Sequence, residues 1–396
     1  MKLGIVSDFH LGYERFRDDA YKQAKEALEQ AASMCDALLI PGDIFDNRAP
    51  KPDIIAEGFS IFRELSSRSW PAKINEIIGG KAYTSAPIVV IPGTHERRAV
   101  GEENPVSLLN LGGFAVDASD AVAIIEKGGE KVAVRGIGGI AEERFREYLS
   151  TSAFNPIPNA FNVLMFHQSI YELMPFSKDY IHFEELPEGY DLYIDGHIHN
   201  RVETTVHGKP FIIPGSTVLT QLKEAEQESK GFYVFDTVEK KASFHKINSR
   251  RFVFIRISAE GKDPDQLLGE ISSKISAEAA KGDTPIIQVD IAGTLKQGFR
   301  SEDINFLNVA KEFEGKAIVE ISGADIEEAS VIAGEFKQGM LEGMSVKDYG
   351  MSIFVEKLKQ TGYSLNISPV ELFEILSADA KDKAVKSATE TLLGNA

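Results

Sequence analysis

The strongest constraint on the fold of this 396-residue chain comes from short apolar runs that are separated by helix-like segments. Runs such as 37–40 and 88–91 are apolar at every position, which is typical of strands buried on both faces of a sheet. Between the early runs, apolar residues recur at helical spacing in 19–33 and in 52–68. Helices therefore alternate with strands first and strands dominate later, a pattern that two sheets with helices outside them satisfy. The candidate strands before residue 250 are 2–7, 37–40, 88–91, 122–126, 132–136, 162–166, 192–195, 211–213, 231–236 and 242–247.

A different order of elements begins near residue 250. Strands and helices alternate there in a small α+β unit, and after residue 323 the pattern is helical only. We therefore expect three parts, with boundaries at 1–250, 251–323 and 324–396. The predicted elements after residue 250 are strand 252–257, helix 265–281, strand 285–291, helix 302–313, strand 316–321 and helices 346–360, 368–377 and 379–393.

Composition gives a second set of limits. The chain carries 60 acidic and 43 basic residues, a net charge of −17, which taken alone argues against a nucleic-acid partner. Its single cysteine, Cys35, excludes an intrachain disulfide framework and favours an intracellular location. No apolar run approaches the roughly 20 residues of a membrane helix, and the N-terminus lacks the apolar core of a signal peptide. We expect a cytoplasmic protein with no membrane partner.

Five short polar motifs lie at the ends of five predicted strands. In an extended chain, residues two apart point to the same side, so Asp8 with His10 and His197 with His199 can each present a pair of ligands. Glycines beside the motifs allow sharp turns and close approach to a small ligand. The motifs are Asp8-Phe9-His10, Gly42-Asp43, Gly93-Thr94-His95-Glu96, His167 and Gly196-His197-Ile198-His199.

Imidazole and carboxylate ligands together suit transition metals such as Mn, Fe and Zn. Two ions about 3.5–4 Å apart can hold a phosphate and stabilise in-line displacement, and a free histidine nearby can protonate the leaving oxygen. Alone, each motif is more often a turn or a buried structural residue, but five of the eight histidines fall in these motifs. We expect His182, His207, His245 and Cys35 to be structural or surface residues. The predicted ligand inventory is Asp8, His10, Asp43, His167, His197 and His199, with one more ligand near position 94.

These motifs resemble the calcineurin-like metallophosphoesterase superfamily. Within it, Ser7 to Gly12 and four other segments resemble the Mre-eleven nuclease family, archaeal-type, whose bacterial counterpart is the SbcD nuclease. The strong match covers roughly residues 1–250; later segments match mainly by position. The resemblance implies an α/β fold, a two-sheet αββα sandwich, with 251–323 as a capping domain. The four other segments are 186–191, 196–199, 214–217 and 228–233.

The resemblance also implies roles for individual residues. Asp8, His10, Asp43 and His199 would hold one ion, and Asp43, Thr94, His167 and His197 the other, with Asp43 as the bridge. His95 would be the catalytic histidine that assists the phosphodiester transition state. The family uses two Mn²⁺ ions as a 3′–5′ exonuclease and single-strand endonuclease in double-strand-break repair. One departure stands out: the family usually has Asn where Thr94 stands, and a threonine hydroxyl is a shorter and weaker donor.

Partners are implied as well. The family acts on DNA as a homodimer bound to an SMC-like ABC ATPase of the Rad-fifty type, which the C-terminal helices would dock. An archaeal member would be associated with the nucleoid. Candidate dimer contacts are Phe59, Phe62, Leu108 and Leu109, for which core packing is an equal alternative.

Basic residues close to the motifs are candidates for phosphate contacts, although each also suits an ordinary solvated position. Two other functions stay open: a metallophosphoesterase for small phosphoesters or phosphoproteins, and a scaffold that binds DNA ends but no longer cuts. The candidate DNA-binding residues are Arg15, Arg17, Arg48, Lys51, Arg97 and Arg98.

Overall fold

The structure, a computed structural model, describes residues 1–97, residues 102–327 and the five positions 351, 354, 355, 368 and 372. The described chain forms two compact units. One comprises Met1–Ile255, Ile275–Gln288 and Phe313–Glu320, and the other begins with Arg256–Lys274 and Val289–Glu312. The predicted helices of 346–396 and Arg98 lie outside the described residues, apart from those isolated positions.

Strands and helices alternate as far as residue 166, and strands predominate from there to residue 258. The strands are β1 (Lys2–Ile5), β2 (Ala37–Ile40), β3 (Lys73–Ile78), β4 (Ile88–Val90), β5 (Val116–Asp117), β6 (Val122–Lys127), β7 (Glu130–Ile137), β8 (Phe161–Phe166), β9 (Leu192–Asp195), β10 (Val202–Val206), β11 (Lys209–Ile213), β12 (Gly231–Asp236), β13 (Lys241–Lys246), β14 (Phe252–Ser258), β15 (Ile286–Thr294) and β16 (Ile318–Glu327). The helices are α1 (Arg17–Met34), α2 (Pro52–Ser66), α3 (Pro105–Leu111), α4 (Glu142–Thr151), α5 (Pro264–Ala279) and α6 (Phe306–Glu312).

Two large sheets pack face to face. The first has the order β13-β12-β1-β2-β4-β5, and the second has the order β10-β11-β9-β8-β7-β6-β3. Their facing sides share one apolar core, in which Leu3 and Leu39 from the first sheet join Val134 and Met165 from the second. The remaining strands form a three-stranded sheet in the order β14-β15-β16.

Helices cover the outer faces of both sheets. Ala24, Ala27 and Ala31 repeat along α1, and this small-residue stripe packs with α2 against the outer face of the first sheet. Phe145 of α4 packs with Phe166 on the outer face of the second sheet. The predicted arrangement of two sheets with helices outside is confirmed.

The strands that the sequence did not reveal are β3, β5 and β10, and each lies at an edge of its sheet. An edge strand pairs with a neighbouring strand on one side only, and all three of these strands mix polar with apolar residues. The β10 strand, for example, reads Val-Glu-Thr-Thr-Val. Continuous apolar runs identify central strands and miss such edges. Among the described helices, none has the length and apolar character that crossing a membrane requires.

Candidate metal centre

Parallel strand pairing brings the five motifs together. Neighbouring β1, β2 and β4 run parallel in the first sheet, as β8 and β9 do in the second. The carboxyl ends of parallel strands meet at one edge, where ligand groups commonly gather. Three overlapping clusters form there, and the potential ligand atoms within each lie within 4.8 Å of one another. The clusters are Asp8, His10 and His199; His10, Asp43 and His95; and Asp43, His167 and His197.

The first cluster places two imidazole nitrogens side by side. His10 Nδ1 lies 3.0 Å from a carboxylate oxygen of Asp46, which accepts its proton. In the neutral ring His10 Nε2 then carries a lone pair, and this atom lies only 3.1 Å from His199 Nε2. The Asp8 Oδ1 atom lies 4.0 Å from the former nitrogen and 3.8 Å from the latter. An ion bound between these three acceptors removes their mutual repulsion.

The Asp43 and His167 pair repeats this pattern on the other side. His167 Nδ1 lies 2.6 Å from the Pro41 carbonyl oxygen and donates to it. Its Nε2 atom is buried without a hydrogen-bond partner and lies 3.2 Å from Asp43 Oδ2. The Asp8 Oδ2 atom is likewise buried without a partner. Buried polar atoms without a hydrogen-bond partner are costly, so Asp8 Oδ2 and His167 Nε2 fit a divalent cation as their missing partner.

The electrostatics distinguish the histidines of the ion-free cluster, in which His167 holds a proton that a bound ion would replace. Burial raises the pKa of Asp8 to about 6. Burial alone lowers the pKa of His167, but the Asp43 carboxylate outweighs it and raises that pKa to about 10. Burial, followed by repulsion from His167, lowers the pKa of His197 to about 4, and the same kind of environment puts the pKa of His199 well below its usual value. His197 and His199 are therefore neutral at pH 7, the form in which imidazole binds metals.

The backbone at the cluster is strained. Asp8, His10, Asp43 and His197 all adopt left-handed conformations, with φ between 47° and 71°. Such conformations cost energy in a residue with a side chain and concentrate at functional sites. Gly93 shows how tight the centre is, because a Cβ atom there would lie 2.2 Å from Asp43 Oδ1. Substitution at this glycine would displace the carboxylate that two clusters share.

Two residues that the sequence left without a role hold the loops in place. Glu96 is fully buried, and its carboxylate accepts hydrogen bonds from the Phe45 amide at 2.7 Å and the Gly93 amide at 2.8 Å. Burial, followed by the nearby Asp43 charge, raises the pKa of Glu96 to about 8. Asp46 accepts from His10, and its backbone carbonyl lies 2.9 Å from His95 Nδ1. No pattern in the sequence singles out Asp46, because its partner His10 is distant in the chain.

Thr94 and His95 lie on the exposed side of the cluster. The Thr94 Oγ1 atom lies 3.4 Å from His197 Nδ1, and no closer polar side-chain contact of this hydroxyl is seen among the described residues. The His95 amide donates to Asp43 Oδ1 at 2.9 Å, while its side chain is 43% exposed. His95 is therefore open to a substrate, in contrast to the fully buried His167.

The basic candidates do not form one free patch. Arg15, Arg17 and Lys51 line a cleft of about 800 Å³ that reaches Asp46 at the cluster. Arg15 pairs with Glu320 at 2.8 Å, and Arg17 pairs with both Asp53 and Glu57. Arg97 is exposed. Arg48 is already engaged in a contact within the protein, and Arg98 lies outside the described residues.

Two of the four candidate dimer residues lie in the core, and the other two are half-buried. Phe62 and Leu109 are fully buried in the core of their own chain. Phe59 and Leu108 are half-buried, and the Phe59 ring packs edge-on against Phe114 at 5.3 Å. Core packing therefore accounts for Phe62 and Leu109.

A two-sheet sandwich that gathers aspartate and histidine at one end has the architecture of a metal-dependent phosphoesterase. The chain belongs to the calcineurin-like phosphoesterase family, whose model matches residues 1–201.

Individual proteins similar to this chain are more specific than the family. The chain is similar to the DNA double-strand break repair protein Mre11 of Methanopyrus kandleri, with 26% identity over 60% of this chain and 54% of that protein. It is also similar to the double-strand break repair protein MRE11 of Encephalitozoon cuniculi, with 28% identity over 59% of this chain and 45% of that protein. The chain thus spans about half the length of these curated relatives. A solved structure described as a novel archaeal phosphodiesterase has 14% identity and a TM-score of 0.30, and the match covers 62% of this chain and 100% of that one.

Proposed function

We propose that this chain is a divalent-metal-dependent nuclease that hydrolyses DNA phosphodiester bonds in double-strand-break repair. The observation that carries the proposal is the pair of buried atoms, Asp8 Oδ2 and His167 Nε2, that lack a hydrogen-bond partner beside the Asp43 carboxylate. The similarity to relatives named as double-strand break repair proteins supports DNA as the substrate. The activity would be that of a 3′–5′ exonuclease and single-strand endonuclease.

Two ions, in our proposal Mn²⁺, fit the cluster. Asp8, His10 and His199 would hold one, His167, His197 and Thr94 the other, and Asp43 would be shared. When bound, such ions supply positive charge to the phosphodiester and make water acidic enough to attack at neutral pH. Asp46 and Pro41 would orient the His10 and His167 rings towards the ions, because they fix which imidazole nitrogen carries the proton.

His95 is the proposed catalytic residue. Its Nδ1 atom is held by the Asp46 carbonyl, so in the protonated ring the Nε2–H bond is available on the exposed side. A proton at that atom can pass to the leaving oxygen as the phosphodiester bond breaks. Asp43 Oδ1 accepts from the His95 amide and so fixes the distance between this ring and the centre.

DNA binding by the chain alone is expected to be weak. The cleft beside the cluster offers Arg15, Arg17 and Lys51, but the two arginines already pair with carboxylates that a phosphate must displace. The net charge of −17 repels a polyanion over longer distances. We propose that a second copy of the chain and an SMC-like ABC ATPase docked on 346–396 supply the missing affinity.

The direct test compares substrates with the purified full chain. Linear duplex DNA labelled at either end, circular single-stranded DNA and a small generic phosphodiester are each incubated with Mn²⁺, and with a chelator as the control. We expect degradation from the 3′ end and nicking of the circle, both abolished by the chelator. Cleavage of the small phosphodiester alone would instead establish a phosphoesterase for small substrates.

The partner proposal has its own test. The full chain and a variant that ends at residue 345 are each co-expressed with the ATPase subunit and purified. We expect the truncated variant to lose the ATPase while it keeps phosphodiesterase activity, which also reports that it is folded. Retained association would refute docking on the C-terminal helices.

One observation favours a second candidate function. Thr94 offers a short neutral hydroxyl on the exposed side of the cluster, and this is the weakest of the proposed ligands. A scaffold that binds DNA ends without cutting them would have the second site empty. Calorimetry that finds two tightly bound Mn²⁺ ions per chain excludes the scaffold.

A further inference from the structure

A buried ion pair lies behind His199 and has no role in the mechanism above. Lys230 and Glu226 are 8% and 5% exposed, and Lys230 Nζ lies 2.8 Å from Glu226 Oε2. Glu226 belongs to a single 3₁₀ turn, Glu224–Gln227, and Lys230 immediately precedes β12. A buried ion pair is costly to assemble and is weak evidence for stability alone, so a specific role is worth seeking.

Hydrogen bonds connect this pair to the His199 ring. Thr220 Oγ1 donates to Glu226 Oε1 at 3.1 Å, and the same hydroxyl contacts His199 Nδ1. A hydroxyl has one proton, and Thr220 gives it to the carboxylate; its lone pair therefore accepts from His199 Nδ1–H. His199 Nε2 is left as the acceptor that faces Asp8 and His10.

The same lysine also fixes the backbone around the cluster. Lys230 Nζ donates to the Ser216 hydroxyl at 2.9 Å and to the His199 carbonyl at 3.4 Å. The Ser216 amide donates to that carbonyl at 3.1 Å, and the Thr217 amide donates to the Asp8 carbonyl at 3.3 Å. Two sequence segments without an assigned role, 214–217 and 228–233, thus meet behind His199.

We propose that Thr220, Glu226 and Lys230 are positioning residues that set the metal affinity of the Asp8, His10 and His199 side of the centre. They act by fixing the proton on His199 Nδ1 and the direction of its ring. Partners of this kind typically contribute 10- to 100-fold in metal affinity. This inference rests on the proposed metal centre, but not on DNA being the substrate.

Thr220→Val tests the inference, because valine keeps the shape and removes the hydroxyl. The full chain is titrated with Mn²⁺ alone in a calorimeter. We expect one of two sites to weaken about tenfold or more while the other keeps its affinity. Thr220→Ser restores the hydroxyl and should restore binding.

Thr237→Val is the matched control. Thr237 is 5% exposed and donates to the Glu130 carboxylate at 2.6 Å. It lies near the start of β1, whereas the metal ligands follow the end of that strand. This variant should bind Mn²⁺ like the unaltered chain. Equal affinities for Thr220→Val and the unaltered chain would overturn the inference.

A second variant separates positioning from a purely structural role. Glu226→Gln keeps an oxygen for the Thr220 proton but removes the charge that pairs with Lys230. We expect weakened Mn²⁺ binding at one site, measured beside the melting temperature in chelator. A lower melting temperature with unchanged Mn²⁺ affinity would overturn the proposal. Failure to cut DNA, with the affinity loss still present, would refute only the nuclease.

Discussion

The two ends of the sandwich both hold polar groups. At one end these groups all have hydrogen-bond partners, and at the other end some of them have none. At one end, the Met1 nitrogen lies 2.8 Å from both oxygens of Glu130 and from Thr237 Oγ1, and Thr237 donates to Glu130. Every atom of that group has a partner. At the other end, Asp8 Oδ2 and His167 Nε2 have none, and the strained backbone lies at Asp8 and its neighbours.

The difference separates structure from function. A satisfied polar group joins the two sheets and needs nothing more, because its hydrogen bonds offset the cost of burial. An unsatisfied group in strained backbone costs free energy in the isolated chain and repays that cost only when a ligand binds. Substitutions at the motif end should therefore change activity, and substitutions at the Thr237 end should change stability.

Asp43→Asn should give the largest effect. Asp43 belongs to two of the three clusters, so loss of its charge weakens both proposed sites. We expect phosphodiesterase activity to fall about a thousandfold, equivalent to about 4 kcal/mol. Asp36→Asn, which alters a buried aspartate paired with Lys127, should leave activity unchanged. Activity retained in Asp43→Asn would contradict a shared ligand.

His95→Ala should lower the rate about a hundredfold without loss of bound metal, because the ring donates a proton and does not hold the ion. His182→Ala is a matched control, with a similarly exposed ring that contacts Glu172. Mn²⁺ stoichiometry and cleavage rate are measured on both variants. Loss of an ion from His95→Ala would make His95 a ligand instead.

Thr94→Asn should strengthen metal binding rather than weaken it. An amide oxygen reaches farther than the threonine hydroxyl, so we expect the second ion to bind about tenfold more tightly. The readout is Mn²⁺ affinity together with the cleavage rate, and Thr205→Asn on the exposed side of β10 is the control. If Thr94→Asn and the unaltered chain perform equally, the idea of a weakened site is wrong.

Thr237→Val should affect stability alone. It removes a buried hydroxyl that contacts Met1 and Glu130, at a cost of about 1–3 kcal/mol. Denaturant unfolding measures the loss, while the cleavage rate should stay the same. A fall in activity without a fall in stability would contradict the division between the two ends.

Cys35→Ala should change the pH dependence of the stability by the smallest amount, and only in alkali. Burial, followed by the Asp36 charge, raises the pKa of Cys35 to about 12, whereas an unfolded thiol ionises near 8.5. The folded chain keeps this proton between those values, so its contribution to stability is complete below about pH 8.5 and is lost as the pH rises towards 12. Cys35→Ala should therefore lose less stability than the unaltered chain between pH 8 and 10. Identical dependence of stability on pH in the two proteins would contradict a raised pKa for Cys35.

Much of the site was predictable because its residues fall within local motifs. Asp8, His10, Asp43, His167, His197 and His199 follow predicted strands, and all of them meet in the structure. Glu96 stood inside a motif without a role, since nothing in its neighbourhood shows that its carboxylate bonds the Phe45 amide. Thr220 and Glu226 carried no signal, because their partner His199 is distant in sequence.

The sequence alone determined most of the central strands, the residue types that follow them and the two-sheet arrangement. Apolar runs and the residues that follow them are local properties, so they can be read without coordinates. Only the tertiary structure decided which imidazole nitrogens lie side by side, which arginines are already paired and that Lys230 contacts the backbone of His199. Those facts depend on contacts between residues far apart in the chain, such as Lys230 with Ser216 and Arg15 with Glu320, which packing alone creates.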